Sequence, residues 1–169
     1  FIKLLCRLYD VTEGCIKLNG IDIRKYDYKE YCDLFAVVFQ DFSIFDFPMG
    51  ENIAAASIYD KKRVKEAIDK VGLNTLEDKL TQGLDTIVGK ECCSDGVNFS
   101  GGEKQKIAIA RAIHKDAPFV IMDEPTAALD PEAEAEVFEG FDRMVGNKTA
   151  IYISHRLASC RFCDDILVF

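Results

Sequence analysis

Two kinds of apolar pattern alternate along the chain. Leu34-Phe-Ala-Val-Val-Phe39, Phe119-Val-Ile-Met122 and Thr149-Ala-Ile-Tyr-Ile153 are unbroken apolar runs of strand length, and Ile166-Leu-Val-Phe169 begins a fourth. Such runs predict strands covered on both faces. Elsewhere the apolar positions recur at helical spacing. Val64, Ala67, Ile68 and Val71 predict a helix over 62–71 that Gly72 closes, and Ile107, Ala110 and Ile113 predict one over 101–114. Asp130-Pro131 caps a further helix, with Glu132, Glu134 and Glu136 near its positive end and Val137, Phe138, Phe141 and Val145 on its apolar side. Residues 1–9 read as the end of a helix with Ile2, Leu5 and Leu8 on one face. Cys15–Leu18 and Ile21–Ile23 alternate around Asn19-Gly20, the signal of a tight hairpin. Residues 81–98 are glycine-rich and loop-like. Buried strands alternating with helices indicate an α/β domain with a largely parallel sheet. The stretch from about 42 to 110 is richer in helix and loop and reads as an inserted lobe.

Composition narrows the partners. The chain has 169 residues, which suits one domain, and 49% of them are apolar, enough for a sizeable core. The net charge of -8 argues against a nucleic-acid partner, which needs a basic face. It leaves room for a small anionic ligand in a local site. The 7 cysteines are odd in number and several sit in apolar runs, so reduced thiols are expected rather than a disulfide framework. Cys160-Arg-Phe-Cys163 has CxxC spacing but no second pair, which argues against a metal or redox site. No run reaches the ~20 apolar residues of a membrane-spanning helix, and no signal peptide is visible. The chain opens and closes within apolar runs, as expected of a piece of a longer polypeptide.

Four places carry candidate chemistry. Phe119-Val-Ile-Met-Asp123-Glu124 is an apolar strand that ends in two acids, and open α/β sheets bind ligands at the carboxyl ends of their strands. Asp123 is suited to a Mg ion, which prefers carboxylate oxygens and keeps some waters. Glu124 is suited to polarise a water that attacks a phosphoryl group. Ser100-Gly101-Gly102-Glu103 leads a helix, and free amides at a helix N-terminus favour anions. His155 lies just past one predicted strand and Gln40 just past another. Each of these taken alone is as well explained by a cap, a turn or a solvated acid.

Together they form a pattern. Ser-Gly-Gly-Glu-Lys-Gln, followed by Ile-Ala-Ile-Ala-Arg-Ala and then Asp-Glu-Pro-Thr-Ala-Ala-Leu-Asp-Pro, resembles the ATP-binding-cassette (ABC) ATPase family over essentially the whole chain. The resemblance implies a P-loop NTPase-like (RecA-like) α/β fold: a mainly parallel sheet core at about 1–41 and 111–169, a helical lobe at about 42–110, and an antiparallel β hairpin. It implies ATP and Mg as ligands. Gln40 matches the Q-loop glutamine, which touches Mg or the attacking water. Ser100, Gly101, Gly102 and Glu103 match the signature motif, which contacts ATP held by a second ATPase domain. Asp123 matches the Mg-holding Walker B aspartate, Glu124 the catalytic glutamate, and His155 the switch histidine that contacts the γ-phosphate. Asp130 closes the D-loop at the dimer interface. Phe99 and Glu103 stand where the family usually has Leu and Gln, and Cys92 to Asp95 look inserted before the signature.

The family's glycine-rich loop ending in Gly-Lys-Ser/Thr would fall directly before Phe1. The chain as given is therefore expected to bind ATP weakly and hydrolyse it negligibly. Tyr9-Asp10, Asn19-Gly20, Asp22-Ile23 and Glu51-Asn52-Ile53 resemble exporter ATPase domains. The implied function is ATP hydrolysis coupled to transport. Its partners would be a transmembrane domain and a second ATPase domain, at the cytoplasmic face of the membrane. The alternatives are a soluble ABC ATPase and a non-catalytic module.

Overall fold

The computed structural model describes residues 1–73, 79–90, 95–125, 141, 145–146, 148–155 and 163–168. Helix α1 (Ile2–Leu5) buries Ile2 and is shorter than the expected helix. Arg7 at φ 55 turns the chain out of it, so Leu8, expected on the same apolar face, is 49% exposed. Strands β1 (Lys17–Leu18) and β2 (Ile21–Asp22) pair antiparallel. Asn19 at φ 51 and Gly20 at φ 79 form the left-handed turn that matches the twist of such a pair. Helix α2 (Tyr28–Asp33) is six residues long, too short to announce itself by period. The Asp27 side chain caps it by accepting from Glu30 N, and the Tyr31 hydroxyl donates to Leu5 O at 2.7 Å, tying α2 to α1.

The central sheet follows. β3 (Phe35–Val38) lies inside the predicted 34–39 run. Helices α3 (Met49–Ala54), α4 (Lys61–Lys70) and α5 (Gly101–Lys115) come next, then β4 (Phe119–Asp123) and β5 (Thr149–Ile153). The three strands pair parallel in the order β3-β4-β5, with Val38 opposite Met122 and Asp123 opposite Ile153. Alternate residues of β4 enter two different cores. Val120 and Met122 pack with Ile53, Val64, Phe99 and Ile107, while Ile121 packs with Ile2, Ile23, Tyr31 and Phe35. Both faces of β3 and β4 are covered, and those of β5 less completely, with Thr149 exposed and Ala150 to Ile153 half-buried, which is why these strands read as apolar runs. Helix α4 starts at the Asp60 cap and packs Val64, fully buried, towards α5.

The expected fourth strand does not form over 166–168, and Ile166, Leu167 and Val168 are 59%, 79% and 91% exposed. An apolar run becomes a strand only where an edge is there to pair with it, and no bridge joins these residues to β5. The helix expected after Asp130 lies outside the described residues except Phe141 and Val145, which pack on the larger core.

Candidate nucleotide site

Parallel pairing delivers the carboxyl ends of β3, β4 and β5 to one edge. Gln40 follows β3, Asp123 ends β4 with Glu124 next, and His155 follows β5. The backbone N–H of Glu124 donates to Ile153 O at 3.0 Å, and Glu124 then adopts φ 46 just before Pro125. A left-handed conformation costs a non-glycine residue about 1–3 kcal/mol and persists where the surroundings enforce it. Here it turns the carboxylate out of the strand line. Gln40 Nε2 donates to Glu124 Oε2 at 3.3 Å, and His155 Nε2 lies 2.9 Å from Glu124 Oε1. The Glu124 side chain is 23% exposed and that of His155 87%. Both carboxylate oxygens are thus aimed by residues from the two flanking strands.

The donor set suits a hard cation of one kind. Asp123 offers a half-buried carboxylate, and Gln40, with its amide nitrogen on Glu124, offers its amide oxygen. Among the described residues no group of three or more His, Cys, Asp or Glu side chains could hold a metal. The Asp123 carboxylate and the Gln40 amide oxygen suit Mg, which is commonly held by one or two carboxylates with phosphate oxygens and water.

The second predicted cluster is at the head of α5. Ser100 is its N-cap: Ser100 Oγ accepts from Glu103 N at 3.3 Å, and Ser100 N donates to Glu103 Oε2 at 2.7 Å. This reciprocal capping box follows from Ser and Glu three residues apart. Glu103 Oε1 pairs with Lys79 Nζ at 2.5 Å. Gly101 is exposed, and a Cβ built on it would meet nothing within 4 Å. Glycine costs a helix interior about 1 kcal/mol against alanine, and nothing described within this chain requires it there. Among the described residues, Ser100 and Glu103 bond to one another and to Lys79, not to Gln40, Asp123, Glu124 or His155. Asp130 lies outside the described residues.

A third feature joins two stretches already noted for the family resemblance, Glu51-Asn52-Ile53 and Ile107 to Ala112, whose contact nothing in the sequence announces. Asn52, 2% exposed, donates from Nδ2 to Phe45 O at 2.8 Å and Phe47 O at 3.0 Å, and its Oδ1 accepts from Phe45 N at 3.1 Å. Arg111 on α5 donates from Nε to Asn52 O at 2.8 Å and from Nη1 to Ser43 O at 3.2 Å, and burial lowers its pKa. The pair pins the loop after β3 so that Phe45 and Phe47 stay 54% and 55% exposed. Beside them is a cavity of about 280 Å³, lined also by Glu51, Ala55, Ser57 and Arg111. Asn52 and Arg111 are 59 residues apart, and neither breaks the pattern of its own helix.

Comparison with known proteins places this geometry. The family model described as ABC transporter matches residues 1–127. The ATP-dependent lipid A-core flippase of Vibrio vulnificus (strain YJ016) is 39% identical over 168 residues, covering 98% of this chain and 28% of that protein. The subtilin transport ATP-binding protein SpaT of Bacillus subtilis is 40% identical over 171 residues, again with 99% and 28% covered. A solved bacterial Atm1-family ABC exporter with ATP bound superposes with a TM-score of 0.82 at 34% identity, over 94% of this chain and 27% of that one. The chain thus spans just over a quarter of the length of these relatives. By sequence and by fold, this chain belongs to the ABC transporter family, as an exporter-like ATP-binding domain.

Proposed function

We propose that this chain serves the binding and hydrolysis of Mg-ATP in an ABC exporter, at an interface between two such domains, and that hydrolysis drives transport across a membrane. The observation that carries the reading is the Glu124 carboxylate, held between Gln40 and His155 at the carboxyl edge of a parallel sheet. Glu124 acts on the water that attacks the γ-phosphate, drawing on its proton as the bond to phosphorus forms. The left-handed turn and the Gln40 contact fix its direction in advance, so little reorganisation of the carboxylate is left for the reaction. Asp123 and Gln40 hold Mg, whose charge offsets that of the β- and γ-phosphates. His155, largely exposed, exchanges its Glu124 contact for the γ-phosphate when ATP is present.

On the same reading Ser100, Gly101, Gly102 and Glu103 present the head of α5 to ATP bound by the second domain, and Asp130 lies at that interface. About 1–41 and 111–169 form the nucleotide core and about 42–110 the helical lobe. The exposed Phe45 and Phe47, beside their cavity, suit an apolar partner, which supports docking of the transmembrane domain against the loop after β3. The domain then works at the cytoplasmic face of the membrane. The relatives' names differ in cargo, lipid A-core in one and subtilin in another, so ATP-driven export is what carries over.

The test is Glu124→Gln in the full-length transporter. The change keeps size and hydrogen bonding and removes the charge. ATP binding should persist, the hydrolysis rate should fall by ~10²-fold or more, and an ATP-bound dimer should accumulate on size-exclusion chromatography. Hydrolysis at near the wild-type rate would show that Glu124 is not the catalytic carboxylate.

A further inference from the structure

We propose that Lys79 is a positioning residue for the ATP phosphates: it cancels the charge of Glu103 so that the head of α5 stays attractive to an anion. The inference rests on the function proposed above and adds a residue to it. Phe99 and Glu103 are the two departures from the usual signature sequence, and one lysine meets both. Lys79 Nζ pairs with Glu103 Oε1 at 2.5 Å and lies 5.9 Å from the centre of the Phe99 ring. Phe99 is 6% exposed, so its ring is a fixed face for the ammonium group. Leucine in that place would offer no such face, and glutamine in place of Glu103 would carry no charge to cancel.

The need for the lysine follows from the cap. Ser100 N donates to Glu103 Oε2 at 2.7 Å, so the carboxylate is fixed over the first turn of α5, the end that on the proposed function faces the ATP phosphates. It is only 19% exposed, which limits screening by water. Burial works to raise the Glu103 pKa, but Lys79 and the Ser100 cap outweigh it and hold the carboxyl below its ordinary value, so it is ionised at neutral pH. A helix N-terminus carries roughly half a positive charge. A full negative charge fixed over it reverses the sign, and the ammonium group of Lys79 restores it. Lys79 lies 24 residues from Glu103 in sequence and outside the signature run.

The experiment uses the full-length transporter with Lys79→Met, Glu103→Gln, the double variant and Lys79→Arg. The ATP concentration giving half-maximal hydrolysis should rise about tenfold in Lys79→Met, the effect of one uncompensated charge near the phosphate. It should shrink towards wild type as salt is raised to about 0.5 M, where screening acts over a few ångströms. Lys79→Arg should stay within about threefold of wild type. In the Glu103→Gln background, Lys79→Met should change the value by no more than about twofold, because the charge to be cancelled is gone. Glu103→Gln alone should stay within about twofold of wild type, whereas loss of a merely structural tether would raise the value in Glu103→Gln as much as in Lys79→Met, since glutamine also breaks the ion pair. If Lys79→Met does not fold, Lys79→Gln takes its place in the same comparison, and failure of both to fold would mark the lysine as structural and overturn the proposal. An equal effect of Lys79→Met with and without Glu103→Gln, or no effect in either, would overturn it as well. Absence of ATP hydrolysis in the wild-type transporter would instead sink the parent reading.

Discussion

Replacing Asn52 by alanine should free the loop that carries Phe45 and Phe47. Of the side chain's four bonds to backbone there, the three shortest run from Nδ2 to Phe45 O and Phe47 O and from Phe45 N to Oδ1, at 2.8, 3.0 and 3.1 Å, and the fourth, from Nδ2 to Pro48 O, is 3.4 Å. Asn52 is 2% exposed, so water does not stand ready to replace it. A net hydrogen bond contributes about 1 kcal/mol, and a buried group left unpaired costs about 1–3 kcal/mol. Three bonds therefore put the loss at about 3 kcal/mol. Arg111 loses its 3.5 Å bond to Asn52 Oδ1 but keeps the 2.8 Å bond to the Asn52 carbonyl, so the helix it sits on should hold while the loop around Phe45 and Phe47 opens. An opening free energy lower by about 3 kcal/mol raises the open population about a hundredfold. Hydrogen exchange read by mass spectrometry, on peptides covering 43–54 and 101–115, measures this directly. The first peptide should exchange about a hundredfold faster in Asn52→Ala and the second within threefold of wild type. Unchanged exchange over 43–54 would show that the loop is held by packing, and the hydrogen-bond reasoning would fail.

Two titratable groups report on the fold around β1 and β2. Burial first, and then the neighbouring Cys32, push the Cys6 thiol up to about 11, while Cys15 is exposed. At pH 8 a maleimide should therefore label Cys15 at least ~100-fold faster than Cys6, as read by peptide mapping; equal rates would mean that Cys6 is not buried. Asp22 is held down from 3.8 to about 2, above all by its side-chain hydrogen bonds from Arg24, at 2.6 Å for the shortest. A carboxyl lowered on folding favours the folded state above its unfolded value, so this contribution is complete above 3.8 and lost as pH falls through about 2. Arg24→Ala should move the Asp22 midpoint, followed by carboxyl NMR, back up towards 3.8; a midpoint that stayed near 2 would assign the shift to something other than Arg24.

What the sequence determined by itself was local or carried by a motif. A strand covered on both faces must be apolar throughout, so β3, β4 and β5 were legible as unbroken runs. A helix packed on one side must repeat its apolar positions every three or four residues, so α4 and α5 were legible too. Ser100 and Glu103 announced their cap because its two partners are three residues apart. The placing of Gln40, Asp123, Glu124 and His155 at strand ends was also visible, since each follows its run directly.

Helices α2 and α3, six residues each, were not legible, because fewer than two turns hold no period. Their existence was decided by the Asp27 cap and by Tyr31, Met49 and Ile53 finding a core. The apolar run at 166–168 shows the converse, since composition does not say whether an edge is free to pair. Only the parallel register brought Gln40 to Glu124 across 84 residues and let His155 reach the same carboxylate. The bonds of Asn52 with Phe45, Phe47 and Arg111, and of Lys79 with Glu103 and Phe99, were likewise decided in space. Such contacts depend on where separate elements pack, and packing is a property of the whole folded chain that no local spacing encodes.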